Sequence, residues 1–335
     1  MGVVLIHCNL SNDTILSPGN MTGIEIVELI SKYLCSCCVP SFFIISGFLF
    51  FRNVPKDSGI GDFFPLYIRK LKSRAHTLII PYLLWNIIGM MALLFKCYFF
   101  NLNSLGVIVD GSIQWGNFFR GFLYLENGLP YDFPLWFIRN LIGYVLISPI
   151  FFICARKTPA FLISFTILIL LCHFSMDIDF CLLSFFLIGS YLGLHKKCYV
   201  IIKKSSLGFS AVVLWIGLSV LRLRLSATEF DGNVILSFLS NLAGCLGVIW
   251  VSDKFIRSQA LNSQSIFFIY AVHGLYCSQV RRIMISLIGS DSTPRILISY
   301  VATFIFLVSS SLIVYYLLKN LTPRLVGLLA GGRSY

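Results

Sequence analysis

The sequence predicts an all-α fold, a polytopic membrane helical bundle of about ten transmembrane helices. Three observations carry that prediction. Hydrophobic residues make up 57% of the chain and charged ones only 12%, where a soluble domain carries about 25% charged residues. Mean hydropathy is +0.86, more apolar surface than one soluble core can hide. Apolar runs of near-spanning length also alternate with short polar segments whose basic residues fall mainly on one side. The 335 residues read as a single transmembrane domain, 1–335.

The elements follow in order. Residues 1–10 are apolar but cover only about 15 Å as a helix, half of a span. They read as the end of a helix truncated at its N-terminus, whose start lies upstream of Met1. Residues 9–20, with Pro18-Gly19, read as a loop. Residues 24–34 are amphipathic, interrupted by Glu25, Glu28 and Lys32, and read as a surface helix feeding a second span over 33–51. Residues 52–74 are basic, with Phe63, Phe64 and Tyr67 spaced for an interfacial helix. The third span covers 77–100. A polar and aromatic loop over 101–133 holds Asp110, Glu126, Tyr131 and Asp132.

The fourth span covers 134–154. Two short runs, 160–173 and 180–194, follow, and a re-entrant course for one of them stays open. The seventh to tenth spans cover 207–221, 234–251, 265–287 and 296–318. Gly189-Ser-Tyr-Leu-Gly193 is a small-residue pattern that lets two helices pack closely. With the first helix starting inside, the inner segments hold 17 Lys and Arg and the outer ones 6. That bias fits the rule that cytoplasmic loops carry the positive charge.

Composition also excludes classes. The net charge of +12 does not mark a nucleic-acid binder, because the basic residues sit between apolar runs rather than on one patch. The eleven cysteines lie mostly inside apolar runs. Cys35-Ser-Cys-Cys38 has no partner cluster at zinc-binding spacing, so these thiols read as small buried hydrophobes and no metal is expected. The N-terminus carries no basic region and no small-residue cleavage site of a signal peptide.

Several residues could carry chemistry. His7 closes the first apolar run, and an ionisable group in a membrane helix is a functional candidate by default. Imidazole can take a proton from a hydroxyl near neutral pH. A histidine at a helix end facing lipid headgroups is an equal reading. Arg69, Lys70, Lys72 and Arg74 form a cytosolic basic cluster suited to phosphates, although juxtamembrane cations also serve as lipid anchors. In Pro134-Leu-Trp-Phe-Ile-Arg139, Trp136 fits an interfacial aromatic. Arg139 either snorkels or pairs with Asp132 or Glu126. His273 and Tyr270 lie in apolar sequence, as a site or as a structural hydrogen bond between helices. Arg222, Arg224, Arg281 and Arg282 run against the charge bias and read mainly as snorkelling groups, with the border of a groove for an anionic glycan or lipid-linked acceptor as the alternative.

Four stretches, in order, carry a resemblance: Phe42-Phe-Ile-Ile-Ser-Gly-Phe48, Pro81-Tyr-Leu-Leu-Trp85, Pro134-Leu-Trp-Phe-Ile-Arg139 and Phe267-Phe-Ile-Tyr-Ala-Val-His273. With the lone His7 upstream, the chain resembles the acyltransferase-3 family of integral membrane O-acyltransferases, of the type that acetylates bacterial polysaccharides and other glycans. The resemblance implies a multi-pass enzyme of the cell (inner or plasma) membrane. It implies transfer of an acyl group, acetyl first among them, from acyl-CoA to a hydroxyl of a carbohydrate or lipid-linked glycan. His7 then matches the family's first-helix histidine as the catalytic residue. Arg69, Arg74, Arg139, Trp136, Tyr270 and His273 fall on substrate-binding positions. The family's arginine eleven residues before that histidine would lie upstream of Met1. The expected partners are acyl-CoA (acetyl-CoA as donor co-substrate), a glycan acceptor and the lipid bilayer, with no nucleic acid. Two other polytopic classes stay open: a glycolipid or oligosaccharide transporter or flippase, and a glycan polymerase or ligase. Matching halves with broken helices would favour the first, and a large outer loop rich in carboxylates or arginines the second.

Overall fold

The computed structural model describes residues 1–10, 21–55, 58–100, 105–109, 112–156, 159, 163, 166–167, 181–195, 205–226, 233–255 and 262–332. The 160–173 run, its His173, and Asp177 and Asp179 lie almost wholly outside them.

Helices dominate, as the apolar runs require, since a bilayer offers no partner for unpaired backbone groups. α1 is Gly2–His7 and α2 Met21–Glu28. A π turn, Leu29–Leu34, and a 3-10 turn, Cys35–Cys37, carry α2 into α3, Cys38–Phe51. Together they make one rod, Thr22–Phe51. The amphipathic 24–34 stretch is therefore continuous with the 33–51 run rather than a separate helix. Pro40 does not break the rod, because it follows directly on the 3-10 turn, where the hydrogen-bonding register has already changed.

α4, Ile60–Arg74, and α5, Ile80–Phe100, likewise join into a rod of 40 residues, Ile60–Phe99, through a π turn at Ala75–Ile79. Pro81 follows that turn. It cannot donate to the carbonyl of Thr77, and a widened turn absorbs the lost hydrogen bond.

The described residues of the 101–133 loop, 105–109 and 112–133, are folded. A two-stranded hairpin, β1 Ile108–Val109 and β2 Ser112–Ile113, precedes α6, Trp115–Arg120. Val107, Leu125 and Tyr131 form its small core, packed on Met90, Leu93 and Leu94 of α5. The fourth run then divides into α7, Trp136–Leu146, and α8, Ser148–Ala155, which bend by 66°. Pro149 stands at the start of α8 and cannot continue α7.

α9, Cys181–Leu194, has 14 residues, almost all buried. It lies directly on α3. A Cβ on Gly189 would meet the Ile44 carbonyl oxygen at 2.0 Å, and one on Gly47 the Phe186 oxygen at 2.3 Å. The small-residue spacing reads correctly as close packing. α10, Ser205–Leu225, and α11, Asn233–Phe255, pair with each other.

The ninth run is interrupted. α12, Ser263–Val272, ends in a 3-10 turn at His273–Leu275, and α13, Cys277–Ile288, starts afresh. α14, Thr293–Leu321, and α15, Pro323–Leu329, complete the chain. Among the described residues five helices are long and apolar enough to cross a membrane, or six with the α7–α8 pair counted as one span. The protein is an all-α membrane bundle.

Candidate functional site

The interruption after α12 places His273 against His7. α1 docks its C-terminal end on two later helices. The Arg281 guanidinium of α13 donates to the His7 carbonyl at 3.0 Å, and the Tyr300 hydroxyl of α14 donates to the Leu5 carbonyl at 3.1 Å. Gly2 lets α1 sit on the thiols, since a Cβ there would fall 2.2 Å from Cys38 Sγ. Fixed this way, the His7 ring lies 5.4 Å from the His273 ring, centroid to centroid, at an interplanar angle of 35°. Phe133 borders both, 4.8 Å from His7 and 6.4 Å from His273.

The tautomer of His273 follows from its partners. Nδ1 lies 3.1 Å from the Ile269 carbonyl one turn back. A carbonyl only accepts, so Nδ1 carries the proton, and in a neutral ring Nε2 is then the acceptor. That Nε2 is buried and has no partner. His273 therefore offers one bare lone pair inside the bundle.

A carboxyl joins the two rings. Asp132 is 1% exposed, and neither carboxylate oxygen has a hydrogen-bond partner. Its backbone N–H donates to Asn86 Oδ1 at 3.3 Å. Gly274 makes the approach possible, since a Cβ there would meet Pro134 Cδ at 2.5 Å and Asp132 Oδ1 at 3.0 Å. Burial holds the Asp132 carboxyl well above the usual carboxylate range, favouring its neutral form. The Tyr270 hydroxyl donates to the Pro134 carbonyl and ties α12 to the start of α7. Lys96, late in α5, donates to the Leu275 carbonyl at 2.7 Å. Two imidazoles, a buried carboxyl and two cations thus surround the broken turn. Groups that can take, hold and return a proton meet where water is scarce.

The other expected site residues lie elsewhere. Arg139 donates to the carbonyls of Leu123 at 2.6 Å and Gly128 at 3.2 Å. It braces the turn at 123–128, and the Asp132 carboxylate is not its partner. Trp136 packs on the main core. Arg74 lines a small cleft with Ile142, Val145 and Leu146, at the opposite end of α7 from Phe133. The twelve residues from Arg74 to Asn86 rise about 18 Å along the helix, so the basic cluster does not touch the imidazoles. Lys70 donates to the Phe50 carbonyl at the end of α3. Arg69 has no hydrogen bond or ion pair among the described residues. Three site groups escaped the sequence reading. Lys96, a charge within an apolar run, carried a signal. The sequence offers Asp132 as a partner for Arg139, and Arg281 as a snorkelling group or the border of an acceptor groove, not as the brace of His7. Among the described residues no cluster of His, Cys, Asp and Glu could hold a metal ion.

A family model for the acyltransferase domain of the acyltransferase-3 type matches residues 1–319. The chain belongs to that family. It is also similar to the succinoglycan biosynthesis protein ExoH of Rhizobium meliloti (strain 1021), 24% identical over 352 residues and covering 99% of this chain and 89% of the relative. No solved structure matches the chain.

Proposed function

We propose that this acyltransferase takes an acyl group, acetyl first among the candidates, from acyl-CoA and places it on a hydroxyl of a carbohydrate or lipid-linked glycan in the cell membrane. The observation that carries the reading is the His7–His273 pair, with its unpartnered Nε2. The glycan acceptor rests on the relative named for succinoglycan biosynthesis. The whole chain acts as one catalytic unit.

His7 takes the proton of the acceptor hydroxyl. The oxygen attacks the thioester carbonyl, so a C–O bond forms as the C–S bond breaks. The coenzyme leaves as a thiolate and recovers the proton from His7. His273 has only a lone pair to offer, and it receives the N–H of the imidazolium that forms on His7, as orienting acceptors do beside catalytic histidines. Arg69 and Arg74 hold the donor phosphates at the cytosolic end of the bundle. The roughly 18 Å of helix between them and the level of Asp132 suits a donor whose reactive end is carried on a long arm. Tyr270, Trp136 and Arg139 shape the acceptor side by holding the start of α7 and the outer loop.

The test uses purified protein in nanodiscs with radiolabelled acetyl-CoA and membrane glycans. Labelled glycan is expected from the wild type, and His7→Ala should lower transfer by about a hundredfold or more while still inserting and folding. Unchanged transfer in that variant removes His7 from its role. Glycan movement across the bilayer without labelling would favour a transporter, and chain extension without labelling a polymerase.

A further inference from the structure

A pocket lies in the loop between α5 and α7, among residues other than the histidines. Its volume is about 250 Å³, and Asn117, Arg120, Tyr124 and Glu126 line it with Leu105 and Gly128. That is just below the range of small-molecule sites, roughly 300–1,000 Å³, so it suits one ring-sized group rather than a chain.

The pocket is built before any ligand arrives. Gly106 has a positive φ of +75°, and a Cβ there would fall 2.2 Å from Glu126 Oε1. Only glycine lets that carboxylate lie over the backbone. Asn117 Nδ2 donates to the Gly106 carbonyl at 2.9 Å. A tight turn, Leu125 N–H to the Leu129 carbonyl at 2.7 Å, positions Glu126, and Arg139 clamps the carbonyls of Leu123 and Gly128. The Arg120 guanidinium stands 5.7 Å over the Tyr124 ring. Glu126 and Arg120 form no ion pair with each other among the described residues, so both keep capacity for a ligand. On α6, the helix that supplies Asn117 and Arg120, Trp115 is 62% exposed and Phe119 66%.

We propose that this pocket is a saccharide subsite that takes one pyranose residue of the acceptor. The chemistry decides the class. A sugar ring carries neighbouring hydroxyls that donate and accept together, and a carboxylate, a guanidinium and an amide match that mixed demand. Aromatic faces match its C–H surface. A phosphate would be repelled by Glu126, so a lipid headgroup is the poorer fit. The placement agrees with the chemistry. Seven residues after Glu126 the chain reaches Phe133, which borders His7, and that stretch spans at most about 25 Å. A ring held here leaves the next residues of a glycan free to reach the imidazoles. The inference rests on the acyltransfer reading only in naming the bound sugar as part of the acceptor.

Saturation-transfer NMR on the protein in nanodiscs tests it, using a mixture of the methyl glycosides of glucose, galactose and N-acetylglucosamine. The expected result is transfer to at least one glycoside, weakened about tenfold or more by Glu126→Gln, which removes a charged acceptor. Tyr124→Leu should weaken it as well, with both variants keeping the wild-type thermal transition. No protein-dependent transfer, or transfer that both variants leave unchanged, overturns the subsite. Displacement of the glycosides by glycerol phosphate assigns the pocket to lipid headgroups and also overturns it. His7→Ala should leave glycoside binding intact. Glycoside binding without any acyl transfer would sink the enzyme reading and keep the subsite, while the reverse result would do the opposite.

Discussion

Replacing Gly189 by alanine adds one methyl group to the seam between α9 and α3, and the geometry fixes the cost. The new Cβ would stand 2.0 Å from the Ile44 oxygen, 2.7 Å from its carbonyl carbon and 2.8 Å from its Cα. Ordinary contact begins near 3.4 Å, so the helices must part by more than an ångström. All three neighbours are backbone, and no side chain can rotate away. Overpacking a tight interface costs about 1–3 kcal/mol, and within a bilayer close packing is itself the force that holds helices together. Gly217 of α10 is the control, since nothing lies within 4 Å of a Cβ there. Alanine at that site gains up to about 1 kcal/mol of helix propensity. Both glycines lie inside helices, so the propensity gain is common to both and the two variants should differ by the overpacking cost, about 1–3 kcal/mol. Thermal unfolding in detergent, followed by size-exclusion chromatography, should place Gly189→Ala clearly below wild type and Gly217→Ala at or above it. Coincident transitions for the two variants would refute the packing argument.

Further outcomes follow from the site. Asp132→Asn should raise stability at pH 8 and leave it nearly unchanged at pH 4. The buried carboxyl is raised above its unfolded value of about 3.9, so its stabilising contribution is present in acid and lost as pH rises through the folded-state value; parallel pH profiles for the two proteins would contradict this. His273→Ala should cut kcat by about a hundredfold with little change in KM for the donor, measured by steady-state transfer. Arg69→Gln together with Arg74→Gln should raise KM for acetyl-CoA about tenfold or more, and an unchanged KM would take the donor away from that cluster.

Much of the architecture can be read from the residues alone, and the reasons differ by element. The membrane class follows from bulk composition, which needs no tertiary knowledge. The Gly189-to-Gly193 spacing signals close packing because a missing side chain has few other uses in an apolar helix. The continuity of α2 with α3, and of α4 with α5, is not legible. Charges at 25–32 and 69–74 look like the end of a span, yet a helix continues wherever nothing breaks it. The break at His273 is hidden for the opposite reason. Gly274 looks like any helical glycine until Pro134 and Asp132 are set against it. His7 and His273 were each visible as candidates, but their pairing across 266 positions is a property of the folded bundle. Arg281 was hidden because its partner is a backbone carbonyl, which every residue possesses.

The unwound turn at His273–Leu275 leaves peptide oxygens without the helical donors they would otherwise have, in a medium that supplies none. Lys96 caps one of them from a neighbouring rod. The ammonium and the gap are therefore mutually dependent: straightening the helix would take the half-buried ammonium's carbonyl partner away, and removing the cation would leave that carbonyl uncapped. A lineage that lost either would be pressed to lose both, and with them the bend that lets two distant imidazoles face one another.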